Sequence, residues 1–138
     1  MKLFLAGAGA VGMSIAKMVV TRDPNGEWLE EIVIADYNQD RAQFVADYCN
    51  DKRTKVEFID ARDIKELAEI IKKNGSDFVM DATGIDTIDN VFDAAFEARA
   101  NYANLATNPI AVENPKYGFK KEDNYIQAIG DYNFPKHE

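Results

Sequence analysis

Two spacings of apolar residues alternate along positions 3–106. Short, mostly apolar runs at 3–6, 32–35, 56–59, 78–80 and 102–106 are typical of strands buried on both faces of a sheet. Between them, apolar residues recur every three or four positions, which predicts one amphipathic helix in each interval. Strands that alternate with helices indicate an α/β fold with a doubly wound parallel sheet, in three layers with right-handed crossovers.

The helical spacing also predicts which residues each helix buries. The first helix is predicted to bury one apolar face, made of Val11, Ile15, Met18 and Val19. The last helix is predicted to bury Ile88, Val91, Phe92, Ala95 and Phe96. Trp28 is predicted to pack over the open end of the sheet, and Tyr48 is predicted to lie on the buried face of the second helix. Asp63, three residues before Glu66, is predicted to cap the third helix.

The first strand runs into a glycine-rich turn with the spacing G-x-G-x-x-G, formed by Gly7, Ala8, Gly9, Ala10, Val11 and Gly12. In a dinucleotide-binding turn the first glycine allows a tight exit from the strand, and the second lets the backbone approach a pyrophosphate. The third lets the helix pack close to the strand, and the helix directs its N–H groups at the phosphates. We therefore predict a Rossmann-type fold that binds a dinucleotide here; the alternative is a turn that only closes a βα unit.

An acidic residue closes the second predicted strand. Asp36 lies 24 residues beyond Gly12, close to the spacing of about 20 at which such an acid binds the adenosine ribose. The alternative role, a cap on the next helix, is compatible with ribose binding. Tyr37 follows and is predicted to stack on or beside the adenine.

Small or polar residues also follow the third and fourth strands. Open α/β sheets bind ligands at this edge, where the carboxyl ends of the strands meet. Asp60 and Ala61 are predicted to flank the adenine. The segment formed by Ala82, Thr83 and Gly84 is predicted to let the cofactor backbone or the nicotinamide ribose pass close to the chain, with a plain βα turn as the alternative.

The net charge of −8 narrows the choice of partners. Nucleic acid and anionic membranes both require a basic surface, so neither is predicted as a partner. The single Cys49 and the single His137 leave no internal disulfide and no histidine-based metal site or triad. Glycines interrupt the N-terminal apolar run, so no signal peptide or membrane segment is predicted. We expect a soluble cytoplasmic domain.

No catalytic set accompanies the predicted cofactor site. We find no Lys–His, Tyr–Lys or Cys–His arrangement at a strand end, and no metal ligands are predicted. Asp81, inside the fourth strand, is expected to be a structural hydrogen-bonding carboxylate rather than a general base.

The residues around Asp36 favour NAD over NADP. The Asp36 carboxylate would repel a 2′-phosphate, and none of the next three residues is cationic. NADP is the alternative, with Arg41 as the nearest cation that reaches the ribose.

The order of the motifs resembles one family, the saccharopine dehydrogenase-like proteins, over roughly residues 1–107. Segments 7–12, 33–36, 59–63 and 77–83 look like that family's N-terminal cofactor domain. The most distinctive segment, 91–106, is similar to the family's "A-A-x-E-A-G-x-x-Y-x-D-L". Arg99 and Asn104 depart from it, since the family has Gly and Asp there.

This resemblance implies a dinucleotide-binding Rossmann domain at 1–107 and an extension at 108–138 that leads towards a catalytic domain missing from this chain. It implies the NAD(P)-binding part of an oxidoreductase that acts on secondary amines of amino-acid or polyamine metabolism and is inactive alone. A catalytic domain or a homodimer partner would complete it. Many members use NADP, which supports the alternative cofactor.

Two other classes of protein share parts of this pattern. In the RCK/KTN domains that gate potassium transport, a nucleotide is a regulatory ligand, and segments 83–86 and 108–109 faintly resemble them. The segment 101–106 with its preceding helix fits the dehydrogenase better. The acid at the end of the second strand counts against a ligand-free interaction module.

Overall fold

The computed structural model describes residues 1–105, in which five strands alternate with four α-helices. The strands are β1 (Lys2–Ala6), β2 (Glu31–Asp36), β3 (Thr54–Phe58), β4 (Phe78–Asp81) and β5 (Asn101–Asn104). The helices are α1 (Ala10–Arg22), α2 (Gln39–Cys49), α3 (Ile64–Lys73) and α4 (Ile88–Glu97), the last preceded by a 3₁₀ turn at Ile85–Thr87. The predicted alternation is confirmed. The predictions for 108–138 and His137 fall outside the described residues.

All strand pairs are parallel, and the sheet order is β3-β2-β1-β4-β5. The chain starts in the centre, moves outwards to β3, and returns to the other side of β1 to form β4. The direction of winding therefore reverses between β1 and β4. In open α/β sheets this reversal opens a crevice at the carboxyl ends of the two strands.

Helices cover both faces of the sheet, as the doubly wound fold requires. One core joins alternate residues of β1 and β2 to α1 and α2, and it contains Leu3, Leu5, Ile15, Ile32, Ile34 and Val45. The other core joins the remaining residues of these strands to α3 and α4, and it contains Phe4, Val33, Leu67, Ile71, Val79 and Val91. Because strands β1 and β2 are buried on both faces, they read as continuous apolar runs.

The predicted buried face of α1 is confirmed at Ile15 and in part at Val19, and it is wrong at Val11 and Met18. Val11 and Met18 are 52% and 46% exposed, and Val19 is only half-buried. The helix instead buries Gly12, Ile15, Ala16 and Val20. Small residues at two of these positions bring the helix axis close to the sheet, so backbone proximity rather than side-chain size decides which face turns inwards.

Three aromatic residues predicted to be buried are also largely exposed. Trp28 is 40%, Tyr48 51% and Phe96 71% exposed. Tyr48 lies beneath Lys17, whose Nζ is 5.2 Å from the ring centroid, and Phe96 stacks on Phe92. Tyr48 and Phe96 therefore cover neighbouring side chains at the surface instead of filling the core.

The edge of the sheet opposite the crevice is held by an ionic cluster of Asp23, Asp51 and Arg53. The Asp23 carboxylate is 2% exposed and accepts hydrogen bonds from three successive backbone N–H groups, those of residues 27–29. The Arg53 guanidinium donates to both Asp51 carboxylate oxygens, at 2.9 and 2.6 Å, and to the Asp23 carbonyl oxygen at 2.8 Å. The cluster thereby joins the end of α1, the following loop and the start of β3.

We expect Arg53→Met to lower the free energy of unfolding by about 2 kcal/mol, because the variant removes the charge-assisted hydrogen bonds to Asp51 and leaves that carboxylate without its cation. The hydrogen bonds from Arg53 hold the pKa of Asp51 at about 2, below its ordinary 3.8. A lowered carboxylate pKa stabilises the fold above about pH 4, and this contribution disappears as the pH falls towards 2. Urea titrations at several pH values measure both effects.

The control for this prediction is Lys52→Met, which removes a neighbouring exposed cation. It should change the free energy of unfolding by less than about 0.5 kcal/mol. Equal stability of the two variants, or an unchanged loss of stability between pH 4 and pH 2 in Arg53→Met, would contradict the assignment.

Candidate functional site

Two glycines of the turn after β1 are required by the fold. Gly7 has φ +97°, and a Cβ there would lie 2.6 Å from the carbonyl oxygen of Ala82. A Cβ on Gly12 would overlap the carbonyl oxygen of Gly7. The two glycines therefore let the turn, α1 and the end of β4 pack backbone against backbone.

Gly9 differs, because the space beside it is open. Its φ is −71°, and no atom lies within 4 Å of where its Cβ would be. Gly9 is the N-cap residue of α1, and no side chain caps the helix and no acid lies in its first turn. The first-turn N–H groups and the positive end of the helix dipole thus face an open cradle that fits a pyrophosphate.

Asp36 lies beside this turn. One of its carboxylate oxygens accepts a hydrogen bond from the N–H of Ala8 at 2.6 Å, and the other accepts from the N–H of Asn38 at 2.8 Å. A carboxylate oxygen can accept a second bond, so both retain capacity for ribose hydroxyls. The alternative role for Asp36, capping α2, is filled by Asn38, which accepts from the N–H of Arg41. The predicted cap of α3 is confirmed, since Asp63 accepts from the N–H of Glu66.

An aromatic and cationic platform flanks Asp36 at the ends of β2 and β3. The ring centroids of Tyr37 and Phe58 are 5.8 Å apart, and the Arg62 guanidinium carbon is 5.7 Å from the Tyr37 centroid. Arg62 also binds both oxygens of Asp60, at 2.8 and 2.7 Å, and these bonds hold the pKa of Asp60 at about 2. The platform offers aromatic rings, inclined to each other by 45°, on which a purine could stack, and a cation whose charge is already balanced by Asp60.

The turn after β4 forms the other flank. The N–H of Ala82 donates to the carbonyl oxygen of Ala6 at 2.7 Å, which holds this turn against the end of β1. Thr83 follows, and its N–H and hydroxyl both donate to Asp81 Oδ1, at 2.8 and 2.7 Å. Gly84, like Gly9, has open space where a Cβ would lie.

These pieces surround one cleft of about 460 Å³ at the carboxyl edge of the sheet. Most of the predicted site residues line it, namely Gly7, Gly9, Asp36, Tyr37, Asp60, Ala61, Ala82, Thr83 and Gly84. The other predicted residues, Ala8, Ala10, Val11 and Gly12, do not line it. Ala8 instead donates its N–H to Asp36, and Gly12 packs against Gly7.

Three residues that line the cleft were not predicted as site residues, namely Ile59, Arg62 and Thr87. Arg62 had a usable signal, since it lies two residues beyond Asp60 at the end of the β3 segment. A cation so placed stays at the same edge of the sheet. Thr87 had no such signal, because its position depends on the 3₁₀ turn before α4.

Within residues 1–105, no helix is long and apolar enough to cross a membrane. No group of three or more His, Cys, Asp or Glu side chains in the same residues is placed to hold a metal ion.

Solved structures that are similar to this chain include the following three. An apo saccharopine dehydrogenase (L-Glu forming) from Saccharomyces cerevisiae has 18% identity and a TM-score of 0.61, over 80% of this chain and 23% of its own. A proposed epimerase from Bacteroides thetaiotaomicron has 18% identity and a TM-score of 0.57, over 96% of this chain and 62% of its own. A shikimate 5-dehydrogenase from Listeria monocytogenes, in complex with shikimate and NAD, has 18% identity, a TM-score of 0.47, and coverage of 75% and 45%.

The first two likenesses show the fold and no more, because their identities are low. The chain spans about a quarter of the length of the yeast enzyme and less than two thirds of the other two proteins. No curated protein matches the sequence.

The sequence itself matches a family. The model described as "Saccharopine dehydrogenase NADP binding domain" covers residues 3–128. This match does not favour the alternative of a potassium-transport regulatory domain. The Rossmann-type fold agrees with it, and NAD(P) is the cofactor that the match supports. The chain therefore belongs to the family of saccharopine dehydrogenase NADP-binding domains.

Proposed function

We propose that the cleft holds NAD across the reversal of strand order, with its pyrophosphate over Gly9 and the start of α1. The open space beside Gly9 carries this proposal, because it is a cradle at a helix N-terminus that a side chain would fill. Asp36 lies on one side of it and Thr83 on the other. The adenosine half then lies over β2 and β3, and the nicotinamide half over the turn after β4.

At the adenosine end, each neighbour has a distinct role in this proposal. The Asp36 carboxylate accepts hydrogen bonds from the ribose hydroxyls. Tyr37, Asp60 and Ala61 flank the adenine, and the Arg62 guanidinium lies over the Tyr37 ring. Ala82 and Gly84 bring small residues close to the second ribose, where bulkier ones would narrow the cleft.

We further propose that residues 1–107 are the cofactor domain of an oxidoreductase that acts on secondary amines of amino-acid or polyamine metabolism. Bound NAD supplies a hydride acceptor. The residues that bind and orient the amine would come from a catalytic domain or a homodimer partner, towards which residues 108–138 lead. The family match supports this division of labour, because its description names a nucleotide-binding domain. We also propose a cytoplasmic location, because the single cysteine, Cys49, is free and buried, as is usual in a reducing compartment.

The purified chain should bind NAD and NADH and interconvert neither. Titration calorimetry measures the binding. Absorbance of the reduced nicotinamide follows any turnover, with NAD and saccharopine in one direction and with NADH, an amine and an oxo-acid in the other. A complete saccharopine dehydrogenase in the same assay shows that the conditions permit the reaction. Steady oxidation or reduction of the nicotinamide by this chain alone would overturn the division of labour, and absence of binding would overturn the site.

A further inference from the structure

A buried carboxylate lies directly behind the wall of the cleft, at the end of β4. Asp81 is 3% exposed, yet it accepts three hydrogen bonds. Two come from the N–H and hydroxyl of Thr83, and the third comes from the Tyr102 hydroxyl at 2.8 Å. Burying a carboxylate is costly unless donors surround it. These bonds satisfy it and tie β4, the following turn and β5 together.

The bonding pattern fixes the direction of the Thr83 hydroxyl. A carboxylate only accepts hydrogen bonds, so the single hydroxyl proton of Thr83 is directed at Asp81. The hydroxyl oxygen of Thr87 lies 2.8 Å from that of Thr83 and 3.0 Å from the carbonyl oxygen of Gly84. Thr87 can donate to either of them. In both arrangements the Thr83 oxygen presents only lone pairs to its surroundings.

Tyr102 binds the other carboxylate oxygen of Asp81, away from Thr83. Its hydroxyl accepts a hydrogen bond from the side-chain amide of Asn104 at 3.0 Å while it donates to Asp81. Burial raises the pKa of the Tyr102 hydroxyl, and the nearby negative charge of Asp81 raises it further. The phenol therefore keeps the proton that it donates, and Asp81 stays bonded on both of its oxygens.

We infer that Asp81 is a positioning residue that holds the Thr83 hydroxyl as an acceptor for a donor group on the nicotinamide riboside half of the cofactor. Thr83, Gly84 and Thr87 line the cleft on the side away from Asp36, where that half lies if the proposed placement is right. The inference rests on the proposed function for this placement. Two groups of the riboside are suitable donors, the ribose hydroxyls and the carboxamide N–H₂.

Thr83→Val tests the acceptor, because it keeps the shape of the side chain and removes the oxygen. Titrations with ADP, ADP-ribose and NADH distinguish the ribose hydroxyls from the carboxamide as the donor. ADP lacks the whole second riboside, and ADP-ribose lacks only the nicotinamide base. We expect ADP binding to be unchanged and NADH binding to weaken about tenfold, the effect of one lost hydrogen bond. If the variant loses as much affinity for ADP-ribose as for NADH, the ribose is the donor. If it loses affinity for NADH alone, the carboxamide is the donor. Thr83→Ser, which keeps the hydroxyl, should restore binding.

Asp81→Asn tests the positioning role. Its amide can donate to the Thr83 oxygen, which frees the Thr83 hydroxyl proton to point into the cleft. There the hydroxyl would face the donor group of the riboside, and two donors form no hydrogen bond. NADH should again bind about tenfold more weakly, with ADP unaffected. Tyr102→Phe is the matched control, because it removes a bond to Asp81 and leaves the direction of the Thr83 proton unchanged. It should lower stability while keeping the ratio of NADH to ADP affinity.

Calorimetric titrations with the three nucleotides give distinguishable outcomes. If the wild-type chain binds none of them, the proposed function fails. If it binds NADH, but Thr83→Val weakens all three nucleotides equally or none of them, the inference about Thr83 and Asp81 fails and the proposed site stands. Should Asp81→Asn not fold, the Thr83 variants decide the question alone.

Discussion

Gly9→Val should abolish dinucleotide binding and leave the fold intact. The backbone of Gly9 is extended, with φ −71° and ψ −169°, a conformation that valine adopts readily. No atom lies within 4 Å of the position of the new Cβ, so the folded chain accommodates it. The branched side chain would fill the cradle where the pyrophosphate is proposed to lie. Loss of two charge-assisted hydrogen bonds there corresponds to a reduction in affinity of more than about a hundredfold.

Calorimetric titration with NADH measures the affinity, and thermal unfolding reports on the fold. Thr21→Val is the matched control, because it places the same exposed side chain on α1 away from the cleft and should change neither. Gly12→Ala provides the opposite contrast, since its Cβ would overlap the carbonyl oxygen of Gly7 and should destabilise the chain. Undiminished affinity for NADH in Gly9→Val would show that the phosphates bind elsewhere.

Local hydrophobic patterns predict the elements of this fold well because β1 and β2 are buried on both faces. Each reads as an unbroken apolar run, and the alternation with helices then predicts a parallel, doubly wound sheet. The same reasoning fails for α1, where Val11 and Met18 point outwards. Gly12 and Ala16 permit a close approach to the sheet, and a hydrophobic scale gives such small residues too little weight. Helix orientation there depends on backbone contact, which the spacing of large side chains does not contain.

The predicted site emerged largely from one rule of topology. Parallel strands end at the same edge, so residues after β1, β2, β3 and β4 meet there although they are distant in sequence. Which of those residues contact one another could not be predicted from the sequence. Asp81 and Tyr102 are 21 positions apart and meet only because β4 pairs with β5. Arg62 stacks on Tyr37 because β2 and β3 are neighbours, and no local pattern reports that contact.

The last prediction concerns the choice between NAD and NADP. The family description names NADP, and Arg62 places a second cation beside Arg41 at the adenosine end of the cleft. However, both carboxylate oxygens of Asp60 already bind Arg62, so this ion pair brings no net positive charge. The Asp36 carboxylate then opposes a 2′-phosphate by about 1 kcal/mol in water and more where water is excluded. We expect wild-type protein to bind NADH about tenfold more tightly than NADPH.

Asp60→Asn should shift this preference towards NADPH by at least about tenfold, because it frees the Arg62 guanidinium to bind the 2′-phosphate. Adding Arg62→Ala should cancel the shift. Asp40→Asn is the control: it removes the same charge from the exposed first turn of α2 and should leave the ratio of affinities nearly unchanged. Paired titrations with NADH and NADPH on each variant provide the ratios. If wild-type protein binds NADPH at least as tightly and Arg41→Ala removes that preference, then Arg41 is the phosphate-binding residue. In that case Asp36 does not select against NADP.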